Sequence, residues 1–151
     1  MREEVFYELY NFGFSENDIQ LIEDNNDFIF DAQYDDIKKI LEFLKYKGLE
    51  KEDIISLINN NPFMLTESTK RLRYYENIYN NVLKFSKEEL VYILKNNPEC
   101  YTSSPIELEK TIDYLNSKKI SIDKIKDIIL KKPKLINLKS NEVIKLLELE
   151  N

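Results

Sequence analysis

The chain has 151 residues, 42% of them hydrophobic, which is enough for one core of ordinary size without a second domain. Two glycines and four prolines lie far below average usage, which excludes a turn-rich all-β plan and fits helices joined by tight turns. The net charge of −6 conceals an acidic beginning and a basic end.

Residues 2–10 carry Val5, Phe6 and Leu9, placed 35 residues before Ile40, Leu41 and Leu44, so the chain opens on the second helix of an incomplete unit, residues 1–12. Four further units follow. Phe14, Leu49, Phe85 and Ile120 open them, Ile19, Ile54, Leu90 and Ile125 come five residues later, and Ile22, Leu57, Ile93 and Ile128 come next. Asp27, Pro62, Pro98 and Pro133 occupy one further shared position, and the second half of each unit keeps step through Ile37, Leu72, Leu108 and Val143. A period of 35 or 36 residues is the signature of stacked helical pairs, none of which can bury its apolar face alone.

In the first repeat, 13–47, Ser15 and Asp18 form an N-cap arrangement, Ile19, Ile22 and Leu21 are expected to face inward, and Phe28-Ile29-Phe30 fills the turn. A helix from Tyr34 to Lys47 should end at Gly48. In the second, 48–83, carboxylates at Glu50 to Asp53 meet the positive end of the helix dipole, and Pro62 stops the helix at or before Asn61. Phe63 and Leu65 plug the turn, and a helix from Glu67 to Val82 presents Leu72, Tyr75 and Tyr79. The third, 84–118, has capping boxes at Ser86 to Glu89 and Ser104 to Glu107, the latter with Pro105 at the first helical position. The fourth, 119–151, ends in a helix whose Leu146, Leu147 and Leu149 are either partly exposed or packed on a second copy. The expected fold class is therefore all-α: an α-solenoid of four helix-turn-helix repeats preceded by a half repeat, forming a single domain over residues 1–151.

Catalytic chemistry finds no foothold. The chain has no histidine, its one cysteine, Cys100, cannot make a zinc site or an internal disulfide, and Gly13 and Gly48 alone cannot build a phosphate loop. Asp24 and Asn26 begin a calcium-loop spacing, but Phe28 takes the next ligand position. The expectation is a protein that is not an enzyme and needs no cofactor and no metal. The start MREEVFYELY lacks a basic, apolar leader, and no apolar run reaches the roughly 18 residues of a membrane span, so a cytoplasmic location with no membrane partner is expected. Heavy use of Asn, Ile and Lys suggests an AT-rich bacterial or phage genome.

The segments ISLINNNPFML, VYILKNNPECY and KDIILKKPKLI share a helix, a Leu or Ile pair, a proline, an apolar turn and a second helix. That pattern, over essentially the whole chain, resembles the repeats of the mitochondrial transcription termination factor (mTERF) family. The resemblance implies a curved helical solenoid that binds nucleic acid along a basic concave groove; the acidic first repeat departs from that pattern.

Two charged sets are the candidate sites. Lys118, Lys119, Lys124, Lys126, Lys131, Lys132, Lys134 and Lys139, helped by Lys70, Arg71 and Arg73, form either a surface that follows the phosphates of DNA or RNA or a solvated helix face. Glu16, Asp18, Glu23, Asp24, Asp27, Asp31, Asp35 and Asp36 form either a docking surface for a basic protein partner or, again, plain solvated surface. The ten tyrosines offer either base-stacking platforms, with Tyr74, Tyr92 and Tyr114 as the outward ones, or mostly core and rim residues with their hydroxyls in water.

Overall fold

The structure, a computed structural model, describes residues 2–31 and 34–150, apart from the side chains of Arg2, Asp27, Asp31, Leu149 and Glu150. The candidate acidic side chains Asp27 and Asp31, and the apolar Leu149, thus lie outside the described residues. Among the described residues there are nine α-helices and no strand, and no helix is long and apolar enough to cross a membrane. They fall into two compact units, Met1–Ser68 and Thr69–Asn151.

The first unit holds α1 (Arg2–Phe12), α2 (Glu16–Asn25), α3 (Tyr34–Tyr46) and α4 (Lys51–Asn60), with 3₁₀ turns at Asp27–Asp31 and Pro62–Thr66. Ser15 caps α2 with a full capping box, its Oγ accepting the Asp18 N–H at 3.0 Å. Val5, Leu9, Ile19, Ile37, Leu44 and Ile54 are buried at the spacing the repeat demands, each contributing roughly 1.5 to 3 kcal/mol. Leu21 is exposed instead, because it lies about 100° around the helix from Ile22 and about 200° from Ile19. Phe63 also points outward: the 3₁₀ turn after Pro62 buries Met64 and Leu65, and Phe63 stacks on exposed Phe28 at 5.7 Å between centroids.

The second unit holds α5 (Thr69–Asn77), continued by a π-helical turn at Ile78–Val82, then α6 (Lys87–Asn96), α7 (Ile106–Ser117), α8 (Ile122–Lys131), a 3₁₀ turn at Pro133–Asn137 and α9 (Ser140–Glu150). The expected helix from Glu67 to Val82 is thus shorter at its start and changes pitch at its end. Ser86 caps α6 as expected, but the box at Ser104 to Glu107 does not form. Pro105 is the N-cap of α7, so the helix starts one residue later and the Glu107 carboxylate turns to the Ser140 hydroxyl, 3.3 Å away.

The π turn explains an irregularity of the sequence. From Leu9 to Phe14, Leu44 to Leu49 and Leu115 to Ile120 the step is five residues, but from Tyr79 to Phe85 it is six. The Leu83 N–H donates to the Ile78 carbonyl at 2.8 Å, a five-residue span that absorbs the extra residue. The Phe85 N–H then closes on the Tyr79 carbonyl as Leu49 does on Leu44 and Ile120 on Leu115. Tyr75 and Tyr79 stack at 5.5 Å, Tyr101 meets Tyr79 edge-on at 5.2 Å, and all three rings are fully buried. Their hydroxyls donate to the Ser103 carbonyl, the Cys100 carbonyl and the Glu76 carboxylate respectively, so none of the three is an unsatisfied polar group.

Candidate nucleic-acid interface

Every candidate basic residue belongs to the second unit and every candidate acidic residue to the first. By sequence the first unit has sixteen acidic and six basic residues, a balance of −10, and the second twelve acidic and sixteen basic, or +4.

Lys124, Lys131 and Lys132 come together. Together with Ile128 they fall at i, i+4, i+7 and i+8 along α8 and its cap, which puts them on one face, while Ile125 and Ile129 are buried on another. That face borders a groove of about 560 Å³ whose apolar lining comes from Leu115, Ile120, Ile128, Leu135, Leu146 and Leu147. All three lysines are exposed. Lys118 lies with its ammonium 5.6 Å from the centre of the Tyr114 ring, and Lys119 occupies the turn that leads to Ile120. Lys134, in the 3₁₀ turn, and Lys139, before α9, are exposed but do not line the groove. Lys70, Arg71 and Arg73 are exposed in the first turns of α5, which has no acidic residue there.

Lys126 is engaged within the unit. Its ammonium meets Glu89 at 3.0 Å, donates to the Lys84 carbonyl at 3.1 Å and sits 5.8 Å from the centre of the Phe85 ring, so it joins α8 to the start of α6. The Ser86 backbone N–H, with Lys126 beside it, holds the Glu89 carboxyl below its ordinary 4.5.

Among the outward tyrosines, Tyr74 and Tyr92 are exposed and Tyr114 is half-buried under Lys118 with its hydroxyl 3.4 Å from Glu148. A hydrogen bond to Glu109 raises the Tyr74 hydroxyl above its usual range. Cys100 is fully buried, and burial pushes its thiol far above the range of a reactive thiolate. Of the acidic set, Glu16, Asp24, Asp35 and Asp36 are exposed and Glu23 and Asp18 half-buried, Asp18 serving the capping box.

Two features went unread in the sequence. Lys84 and Lys119 adopt left-handed backbone, φ 56° and 62°, where the equivalent residues are Gly13 and Gly48; the step of 35 or 36 residues was the signal. Asn97, before Pro98, is buried and donates to the Pro133 carbonyl at 3.0 Å and to Asn137, which reaches back to the Glu99 carbonyl at 2.9 Å. This network ties the turns of successive repeats, and its signal in the sequence was the asparagine that Asn26, Asn61 and Asn97 repeat at steps of 35 and 36 residues.

The sequence is 22% identical over 133 residues to the mitochondrial transcription termination factor 3 of Drosophila melanogaster, a stretch covering 87% of this chain and 38% of that protein. The chain therefore spans well under half the length of that relative. The mTERF family matches residues 8–148, across the repeated helices, proline turns and apolar ladder described above. The chain belongs to the mTERF family, with its all-α, helical-repeat fold.

Proposed function

We propose that the protein is a non-catalytic helical-repeat binding module whose second unit contacts the backbone of DNA or RNA. The observation that carries this reading is the groove face of α8, where Lys124, Lys131 and Lys132 stand exposed side by side within a unit of net positive charge. Family membership and the name of the relative, a transcription termination factor, support the same reading. Contacts from ammonium groups to phosphates carry no base code, so the contact is electrostatic and largely indifferent to sequence. Lys118, Lys119, Lys134 and Lys139 extend the basic surface, and Lys70, Arg71 and Arg73 add a second cluster in the same unit.

The test is a fluorescence-anisotropy titration against single-stranded and duplex DNA and RNA. Combining Lys124→Glu, Lys131→Glu and Lys134→Glu should weaken binding by at least about tenfold while leaving the helical circular dichroism unchanged. Unchanged affinity in that variant would sink the assignment.

The concentration of acidic residues in the first unit favours a second reading, in which that unit docks a basic protein partner. A module working that way would bind a polylysine-rich protein with salt-sensitive affinity and leave nucleic acid alone.

A further inference from the structure

The apolar groove beside α8 has a counterpart one repeat earlier, and there it is filled. Thirty-five residues before Ile120, Ile128 and Leu147 stand Phe85, Ile93 and Ile112, all buried. What covers that earlier surface includes the helix of the following repeat: Lys126 on α8 reaches across to Glu89 and over Phe85. In the last repeat the same surface is open, with Leu146 exposed and Ile120, Ile128 and Leu147 half-buried. The charge at its edge is also more positive, since Lys124 stands where the acidic Glu89 does and Lys132 where the neutral Asn97 does. A helix that fills this groove must therefore bring carboxylates, not a lysine, to its edge.

The first unit presents such a surface. On α1, Tyr7 and Tyr10 point outward, 59% and 49% exposed, one turn apart on the same side as Glu3. Beside them lies a hollow of about 290 Å³ lined by Glu3, Phe6, Tyr7, Glu23 and Phe30. Aromatic rings bordered by carboxylates on one unit complement aliphatic side chains bordered by ammonium groups on the other. Tyrosines are well suited to such a contact, because they supply rigid apolar area with a polar tip.

We propose that the groove of the second unit receives α1 of a second copy, with Tyr7 and Tyr10 on its aliphatic floor and Glu3, Glu4 and Glu23 facing Lys124, Lys131 and Lys132. The two patches differ, so the contact is heterologous, each copy offering one donor face and one acceptor groove. It covers three of the lysines assigned above to nucleic acid, and the two uses compete. The inference does not rest on that assignment, because it is tested without nucleic acid.

Sedimentation velocity and light scattering of the full chain, over a wide range of protein concentration at low and high salt, provide the test. The expected result is a mass that rises with concentration and falls back with salt. A groove-reversed chain (Lys124→Glu, Lys131→Glu, Lys132→Glu) and an α1-reversed chain (Glu3→Lys, Glu4→Lys, Glu23→Lys) should each remain monomeric. Mixed, they should associate again, because the acidic α1 of the first meets the basic groove of the second and the basic α1 of the second meets the acidic groove of the first. Tyr7→Ala, which leaves every charge in place, should weaken association by roughly tenfold. A wild-type chain that stays monomeric throughout would overturn the proposal. So would association that survives both reversals, or reversed chains of native helicity that fail to combine.

Discussion

Lys119 sits where two earlier repeats place glycine, and a side chain with a Cβ is strained there. The four positions Gly13, Gly48, Lys84 and Lys119 all end a helix by turning the chain through positive φ, so that the next N–H can close on a carbonyl five or six residues back. Left-handed backbone costs a non-glycine residue roughly 1 to 2 kcal/mol, partly offset by the greater freedom glycine has when unfolded. Lys119→Gly should therefore raise unfolding free energy by about 0.5 kcal/mol in urea titrations. A less stable variant would contradict the strain argument. Glu89 makes a second prediction at this scale. Its carboxyl is held below 4.5 by the Ser86 N–H and Lys126, so its contribution is present above that pH and is lost as pH falls through the lower folded value. Glu89→Gln should flatten the loss of stability between about pH 5 and pH 3, followed by thermal melts. An identical acid limb in both proteins would show that Glu89 is not linked to folding.

The helices and their apolar ladders were legible because burial imposes a period on the sequence, and Ile19, Ile54, Leu90 and Ile125 are all buried as that period requires. Local chemistry that departs from the period was harder to read. Ser104 and Glu107 have the spacing of a capping box, yet Pro105 takes the cap, and Phe63 occupies a turn position whose 3₁₀ geometry turns it outward. The π turn was visible only as a six-residue step where five is the rule. Deleting Asn81, an exposed residue of that turn, should restore the five-residue step and leave a folded protein with melting temperature near that of the parent. Deleting exposed Tyr46 at the end of α3, where the step is already five, should displace Leu49 from its site and lower the melting temperature sharply. Equal effects of the two deletions would contradict the role given to the π turn.

At the scale of the whole molecule, charge follows the division into units, acidic before Ser68 and basic after it. The lysine-rich stretch was plain in the sequence, but its division of labour was not. Helical spacing gathers Lys124, Lys131 and Lys132 on one face, whereas Lys126, two residues from Lys124, turns to Glu89 and serves the fold. If the second unit binds nucleic acid by neutralising phosphates, as proposed, the salt dependence of the anisotropy titration will show it. For about four to six phosphates neutralised on duplex DNA, log K should fall with log salt at a slope of about −4 to −5. A slope near zero, or no binding at low salt, would contradict it.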